Sequence, residues 1–395
     1  MGLKFAFIVD KCGPRYLGGY EGKFWNLAKH LAVTNEVRVY TTLRERSCTI
    51  AGVTFCRVIG DDLCPPLRVD RSLLHSAVFS VALLQSPFKD WVPDVVVVEA
   101  IPYLQLLTGT SWLWQTNATK ILFIDEVWSK YSYAPGFRGR VAGRVIRMLL
   151  FAGIRNADVI AVPSKITAAA VDALVGRPIS TVVSDGVDLP ADAESDKLGA
   201  RYNHYDFVTV GRLVPIKRVS DYVRALAILK ASAGWRGRAA IVGSGPEWMA
   251  LSKLVCELGL GSQVDMVGRV EESALYSILR NSNVFVLCSE REGLSRATLE
   301  ALASGLPAIV SRPAEQEVFG VSDLVVHGVN GLHFPAGSVE KLTQAMTQLI
   351  LDPGLRKKMS RNASDMLSGR SWSDVADRFL AMTLYKRGLR EERRG

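Results

Sequence analysis

Val95-Val96-Val97-Val98 is the feature that most restricts how this chain can fold. Four β-branched residues in a row leave no alternation of apolar and polar positions, so a strand built from them is buried on both faces. A parallel sheet covered by helices on both sides provides such a place. Phe5–Val9 and Lys120–Ile124 repeat the theme, each run ending at an acid, Asp10 and Asp125. Glu36–Thr41, Asp158–Val162 and Ser180–Val183 extend the strand set, the last running into Asp185-Gly186. Between the first two runs, Gly18-Gly19 marks a loop. Phe24, Leu27, Ala28 and Leu31 then share one face of a helix predicted over 21–33. Strand, glycine loop, helix, strand is the unit of a right-handed parallel crossover.

The alternation pauses at the polar stretch Asp192–Lys197, which reads as a linker, and then restarts. Strands are predicted at Asp206–Val210, Ala239–Val242, Gln263–Val267, Val284–Cys288 and Pro307–Val310, with helices near 219–231, 248–258 and 274–281. A chain of 395 residues suits two domains of this α/β kind. The expected bounds are 1–192 and 198–371, with 372–395 a C-terminal helix. Open parallel sheets bind ligands outside the carboxyl ends of their strands. Two such edges facing across a cleft are the expected setting for the chemistry.

Composition narrows the partners. The net charge is +9, which admits nucleic acid, an anionic membrane surface or a phosphorylated small molecule. The positive residues are dispersed and are not interleaved with aromatics or a helix-turn-helix pattern, so nucleic acid is not expected. Lys386, Arg387, Arg390, Arg393 and Arg394 crowd the end, and Arg144 and Arg147 share one side of a helix predicted over 141–153. Both read first as solvated helix faces and second as weak contacts with a membrane surface. The six cysteines form no C-x-x-C pair, and none joins the five histidines at metal-site spacing. Free thiols, no metal, no cofactor and a cytoplasmic location are expected, with peripheral contact at the membrane inner face as the alternative.

Two segments carry chemistry. Gly211-Arg212-Leu213-Val214-Pro215-Ile216-Lys217 follows a strand and offers a guanidinium fork and an ammonium to phosphate oxygens. Glu292-Gly293-Leu294-Ser295-Arg296 opens a helix whose first N–H groups suit an anion. Glu300 sits eight residues after Glu292, between apolar neighbours. On an unbroken helix that spacing is about 12 Å, enough to address two ends of one nucleotide sugar.

With Gly243-Ser244-Gly245-Pro246, Gly268-Arg269-Val270, Gly305–Val310 and Gly328–Leu332, these segments resemble glycosyltransferase family 4 across 205–350. Gly18-Gly19-Tyr20-Glu21, Ala157–Ser164 and Ser184–Asp188 extend the resemblance into the first half. The resemblance implies a GT-B fold of two Rossmann-like domains, the first for the acceptor and the second for the donor. It implies sugar transfer with retention of anomeric configuration and no required metal. The implied partners are a nucleoside-diphosphate sugar and a glycan, lipid or small-molecule acceptor. Arg212 and Lys217 would hold the diphosphate, Glu300 the ribose and Glu292 the donor sugar. Gly18, Gly19, Gly243, Gly293, Leu294 and Ser295 would border the donor, Gly268, Arg269 and Val270 would line the base, and the last helix would cross back onto the first domain.

One position departs from the family. Asp125-Glu126-Val127-Trp128 places an aspartate where many relatives carry a histidine. A carboxylate accepts a hydrogen bond from a sugar hydroxyl but cannot donate one unless protonated. Asp125 is therefore the expected fourth catalytic residue, with a plain strand-end role as its rival. Trp128, Lys130, Tyr131 and Tyr133 follow it as a candidate acceptor wall, and His30, His327 and His333 read as structural. Two other functions share the architecture: a sugar-nucleotide epimerase, and a nucleotide-sugar-binding protein with weakened turnover.

Overall fold

The computed structural model describes residues 2–13, 19–60, 73–84, 91–101, 103–108, 116–125, 137–189, 203–312 and 319–392. The predicted linker, Gly18 and the aromatic segment after Asp125 lie outside the described residues.

In chain order the first elements are β1 (Lys4–Ile8), α1 (Gly19–Leu31), β2 (Glu36–Thr42), β3 (Ser47–Ile50), β4 (Val53–Ile59), α2 (Leu73–Ala82), β5 (Val95–Glu99), α3 (Gln105–Thr108), β6 (Thr119–Phe123), α4 (Phe137–Asn156), β7 (Val159–Val162), α5 (Lys165–Val175) and β8 (Ser180–Val182). There follow β9 (Tyr205–Val210), α6 (Val219–Ala233), β10 (Ala239–Val242), α7 (Trp248–Glu257), β11 (Val264–Gly268), α8 (Glu272–Arg280), β12 (Ser282–Leu287), α9 (Arg296–Ala303), β13 (Ala308–Arg312), β14 (Gly331–Pro335), α10 (Val339–Leu351), α11 (Pro353–Asp365) and α12 (Trp372–Glu392). They divide into unit 1, Met1–Gly186 with Arg370–Gly395, and unit 2, Val187–Gly369.

Unit 1 is built on an eight-stranded sheet in the order β3-β4-β2-β1-β5-β6-β7-β8. All pairs are parallel except the β3–β4 hairpin. That hairpin is not among the predicted strands. Its turn is Ala51-Gly52, both at positive φ (48° and 79°), and alanine hides a turn that asparagine normally announces. The valine run lies fully inside, as its composition requires: Val95 and Val97 join Phe5, Phe7 and Val9 on one face, Val96 and Val98 join Ala6 and Ile8 on the other. Helices α1 and α12 cover the first face through Phe24, Leu27, Trp372 and Phe379. On the second, Phe79, Leu150, Ile154 and Val171 come from α2, α4 and α5. Gly186 makes the return of α12 feasible, since a Cβ there would lie 2.8 Å from Trp372 Cα.

Unit 2 carries a six-stranded sheet in the order β11-β10-β9-β12-β13-β14, parallel throughout. One face holds Leu226, Leu251, Leu342 and Met359, the other Tyr276, Leu279, Leu299 and Leu302. The strand order reverses between β9 and β12. Backbone carboxyl ends diverge at such a reversal and leave a crevice for a ligand. In unit 1 the corresponding reversal lies between β1 and β5.

Candidate active site

In unit 2 the predicted residues gather at the β9/β12 reversal. Gly211 and Arg212 leave β9, and Pro215–Lys217 form a short 3-10 helix whose Val214 flank is extended. Three loops are tied by their backbones: Gly211 N–H donates to Val242 O at 3.0 Å, Leu213 N–H to Ser244 O at 2.9 Å, and Gly243 N–H to Gly268 O at 2.7 Å. Gly243 has φ +136°, and a Cβ there would stand 1.9 Å from the Gly211 carbonyl oxygen. Only glycine lets these loops meet. The Gly268 loop, also at positive φ, lies against the Trp248 ring, with Arg269 exposed and Val270 half-buried beyond it.

Lys217 Nζ is paired with Glu292 Oε1 across the reversal, and Ser289 Oγ donates to the same oxygen at 2.7 Å. The Glu292 backbone is fixed as well, bridging Phe319 and accepting from Gly320 N–H at 2.9 Å. Arg212 is exposed and forms no ion pair among the described residues. Next to Lys217, Arg218 is bound to Asp221 of α6 at 2.7 Å and to Glu290 in the loop after β12 at 2.9 Å, which joins the two loops.

Helix α9 begins at Arg296, with Ser295 as its cap accepting from Thr298 N–H at 3.2 Å. Gly293 is buried and Leu294 half-buried just before it. The unbroken helix assumed for Glu292 and Glu300 is therefore corrected. Glu292 lies before the cap, held by its bridge to Phe319, and Glu300 alone is helical. Arg296 Nη2 is 3.2 Å from Glu300 Oε1, and the buried Tyr276 hydroxyl beside it is pushed above its ordinary range by burial first and by Glu300 second. The cap satisfies one of the first N–H groups of α9, and the helix start keeps its positive end.

Unit 1 holds a cluster that sequence reasoning missed. Lys23 on α1 is 2% exposed, and its ammonium lies 2.5 Å from Asp125 Oδ1 and 3.3 Å from Asp185 Oδ1. It also sits over the Phe123 ring, 4.8 Å from the centroid. Burial alone would lower the Lys23 pKa, but the Asp125 and Asp185 charges outweigh it and hold it above the ordinary value. Gly19 opens α1, four residues before Lys23. On the same edge Asp10 is fully buried, 3.8 Å from His75 Nε2 of α2. A signal for Lys23 existed, because it stands four residues before Leu27 and so shares the apolar side of the helix. The His327 and His333 rings lie 5.6 Å apart and tilted by 49°, His333 on β14 bonding Val325 O, and His30 bonds Asn26 O within α1.

An exposed arginine, a lysine held by a carboxylate and a helix start near a strand-order reversal suit a bound diphosphate. Residues 191–366 match the family model described as Glycosyl transferases group 1. That match covers most of unit 2 and every predicted site residue from Arg212 to Glu300. A lipopolysaccharide core biosynthesis glycosyltransferase, LpsD of Rhizobium meliloti, is 30% identical over 214 residues, 54% of this chain and 55% of that protein. The chain thus spans about half the length of that relative. Among solved structures, sucrose-phosphate synthase from Thermosynechococcus elongatus superposes with a TM-score of 0.79 at 20% identity, covering 99% of this chain and all of that one. Anabaena HepE in complex with UDP-glucose gives 0.71 at 19% identity, covering 97% and 99%. At these identities the likeness concerns fold. It is GT-B, built from two Rossmann-like domains.

Among the described residues, no group of three or more His, Cys, Asp or Glu side chains is arranged to hold a metal ion. No described helix is long and apolar enough to cross a membrane.

Proposed function

We propose that this protein is a retaining glycosyltransferase of the family 4 kind, moving a hexose-type sugar from a nucleoside diphosphate to an acceptor hydroxyl. The observation that carries it is the pairing of Lys217 and Glu292 at the β9/β12 reversal, beside exposed Arg212 and the start of α9. In this reading Arg212 and Lys217 take the charge that develops on the departing diphosphate, which requires no proton transfer. Glu292 sets the Lys217 ammonium and receives a donor-sugar hydroxyl, while Glu300 receives the ribose. Gly243, Gly268, Arg269 and Val270 border the nucleotide, and Gly293, Leu294 and Ser295 present N–H groups to it. Asp125 is the unit 1 contribution to transfer, accepting from a sugar hydroxyl. These two cations take the role that a divalent metal plays elsewhere, so turnover should persist in EDTA.

The test is a thermal-shift screen of nucleoside diphosphates and their sugars, since a ligand at 100 times its Kd adds about 2.7 kcal/mol. UDP and UDP-glucose come first, because HepE is seen with UDP-glucose. A shift with one nucleotide class, followed by transfer to acceptors, supports the reading. No shift with any nucleoside diphosphate overturns it, and an epimer formed without acceptor would replace it with epimerase chemistry.

Helix α4 favours an acceptor held at a membrane surface. Val141, Val145 and Met148 are exposed, with Met148 at 62%, and Arg144 and Arg147 are exposed beside them. Apolar side chains flanked by arginines suit an anionic interface. Sedimentation with anionic vesicles but not neutral ones, lost in M148E, is the expected result.

A further inference from the structure

We propose that Lys23 is a positioning residue, holding the Asp125 carboxylate in one orientation for the transfer step. The inference rests on the role given to Asp125 above. It goes beyond that role by naming the group that fixes it and the kind of sugar group the carboxylate can meet.

The burial of Lys23 is not explained by stability alone. An apolar side chain of similar volume commonly serves a core as well as a buried ion pair does. Position 23 instead carries an ammonium at 2% exposure, on a helix side shared with Leu27. Two carboxylates, Asp125 and Asp185, face this one ammonium from different strand ends. The closer contact is to Asp125, 2.5 Å against 3.3 Å for Asp185, so the ammonium is directed mainly at Asp125.

The surroundings are closely packed. Phe24 meets Phe123 edge-on at 5.3 Å, and Phe123 stacks on Phe379 at 6.0 Å. Lys23 rests on that same Phe123 ring. Asp125 follows β6 by two residues and Asp185 follows β8 by three, so both acids stand at the carboxyl edge of the unit 1 sheet. Side chains held by an aromatic lattice at a strand end are suited to fixing a reacting group to a fraction of an ångström. A carboxylate locked to an ammonium accepts hydrogen bonds and does not donate them. It therefore recognises a hydroxyl or amino group on the sugar, and its negative charge favours a carbon gaining positive character as the diphosphate leaves.

The experiment uses the full chain. K23M strands two buried carboxylates and is prone to misfold, so the informative variant is K23M/D185N, which removes one ammonium and one carboxylate and keeps the cluster charge. Expected are a normal melting transition, kcat reduced about tenfold or more relative to D185N, and donor KM within about threefold. K23R should recover part of that kcat, whereas a merely structural role would not separate kcat from KM. A kcat for K23M/D185N equal to that of D185N overturns the proposal. A second readout is independent of turnover: the Asp125 13Cγ resonance, assigned by its loss in D125N. It should move in K23M/D185N relative to D185N, and an unmoved line overturns the contact. If the native chain processes no donor, the transferase reading fails while the resonance still decides the pairing.

Discussion

At the residue scale, the unit 2 site turns on one ion pair. Lys217 and Glu292 neutralise each other, and Arg212, five residues before Lys217, is exposed. Removing Lys217 should cost diphosphate binding about 1.5–3 kcal/mol, the range for hydrogen bonds to charged groups, or roughly a ten- to hundredfold rise in Kd. Calorimetry of K217A with the best nucleoside diphosphate checks this. Asp125→Asn should leave that Kd nearly unchanged and lower kcat, because its place is in unit 1. His333 offers a pH prediction. Burial first, then His327 and Arg312, lower its pKa below 6.5. The native state therefore prefers the neutral ring. The stability this contributes is full above about pH 6.5 and is lost as pH falls through the lowered folded value. H333Q should flatten the melting temperature against pH below about 6.5.

At the element scale, Gly243 is the stringent position. Its φ is +136°, and a Cβ placed on it would come within 1.9 Å of Gly211 O, so alanine fits only if one backbone moves past another. Gly243→Ala should lower stability by about 2 kcal/mol or more and weaken donor binding with it, read by urea unfolding and calorimetry. The strands and helices around this loop were legible because strands buried on both faces leave unbroken apolar runs. The β3–β4 hairpin was not, since Ala51 occupies a left-handed position that carries no residue signature. Nor was the true start of α9. Its cap, Ser295, lies three residues after Glu292, so the eight-residue spacing spans a bridge and a loop before it reaches helix. Lys23 was hidden for a different reason: a lysine on an amphipathic helix is normally solvated, and its two acids lie far away in sequence, at 125 and 185.

At the scale of the molecule, the two units do not divide the chain at a single point. Trp372, Val375, Ala376 and Phe379 of α12 are buried with Phe5, Phe24 and Phe123, so the core of unit 1 draws on both sides of unit 2 in sequence. Phe379→Ala should destabilise unit 1 by about 3–5 kcal/mol, with unit 2 melting unchanged in a scan that resolves two transitions. The parallel strands follow from the sequence pattern. The return of α12 was implied only by the family resemblance, because nothing local in a helix states which of two apolar faces will receive it.

That return also sets a schedule. During synthesis the strands of unit 1 emerge first, yet Phe5, Phe123 and their neighbours are covered only in part, by α1, until α12 arrives. Unit 2 is made in between, roughly 180 residues, which at about 5–20 residues per second is on the order of ten to forty seconds of translation. The half of the protein that begins first is thus completed last, and for that interval an aromatic surface waits in the cell. Holding chaperones should therefore bind nascent chains strongly up to about residue 370 and release them once α12 has emerged.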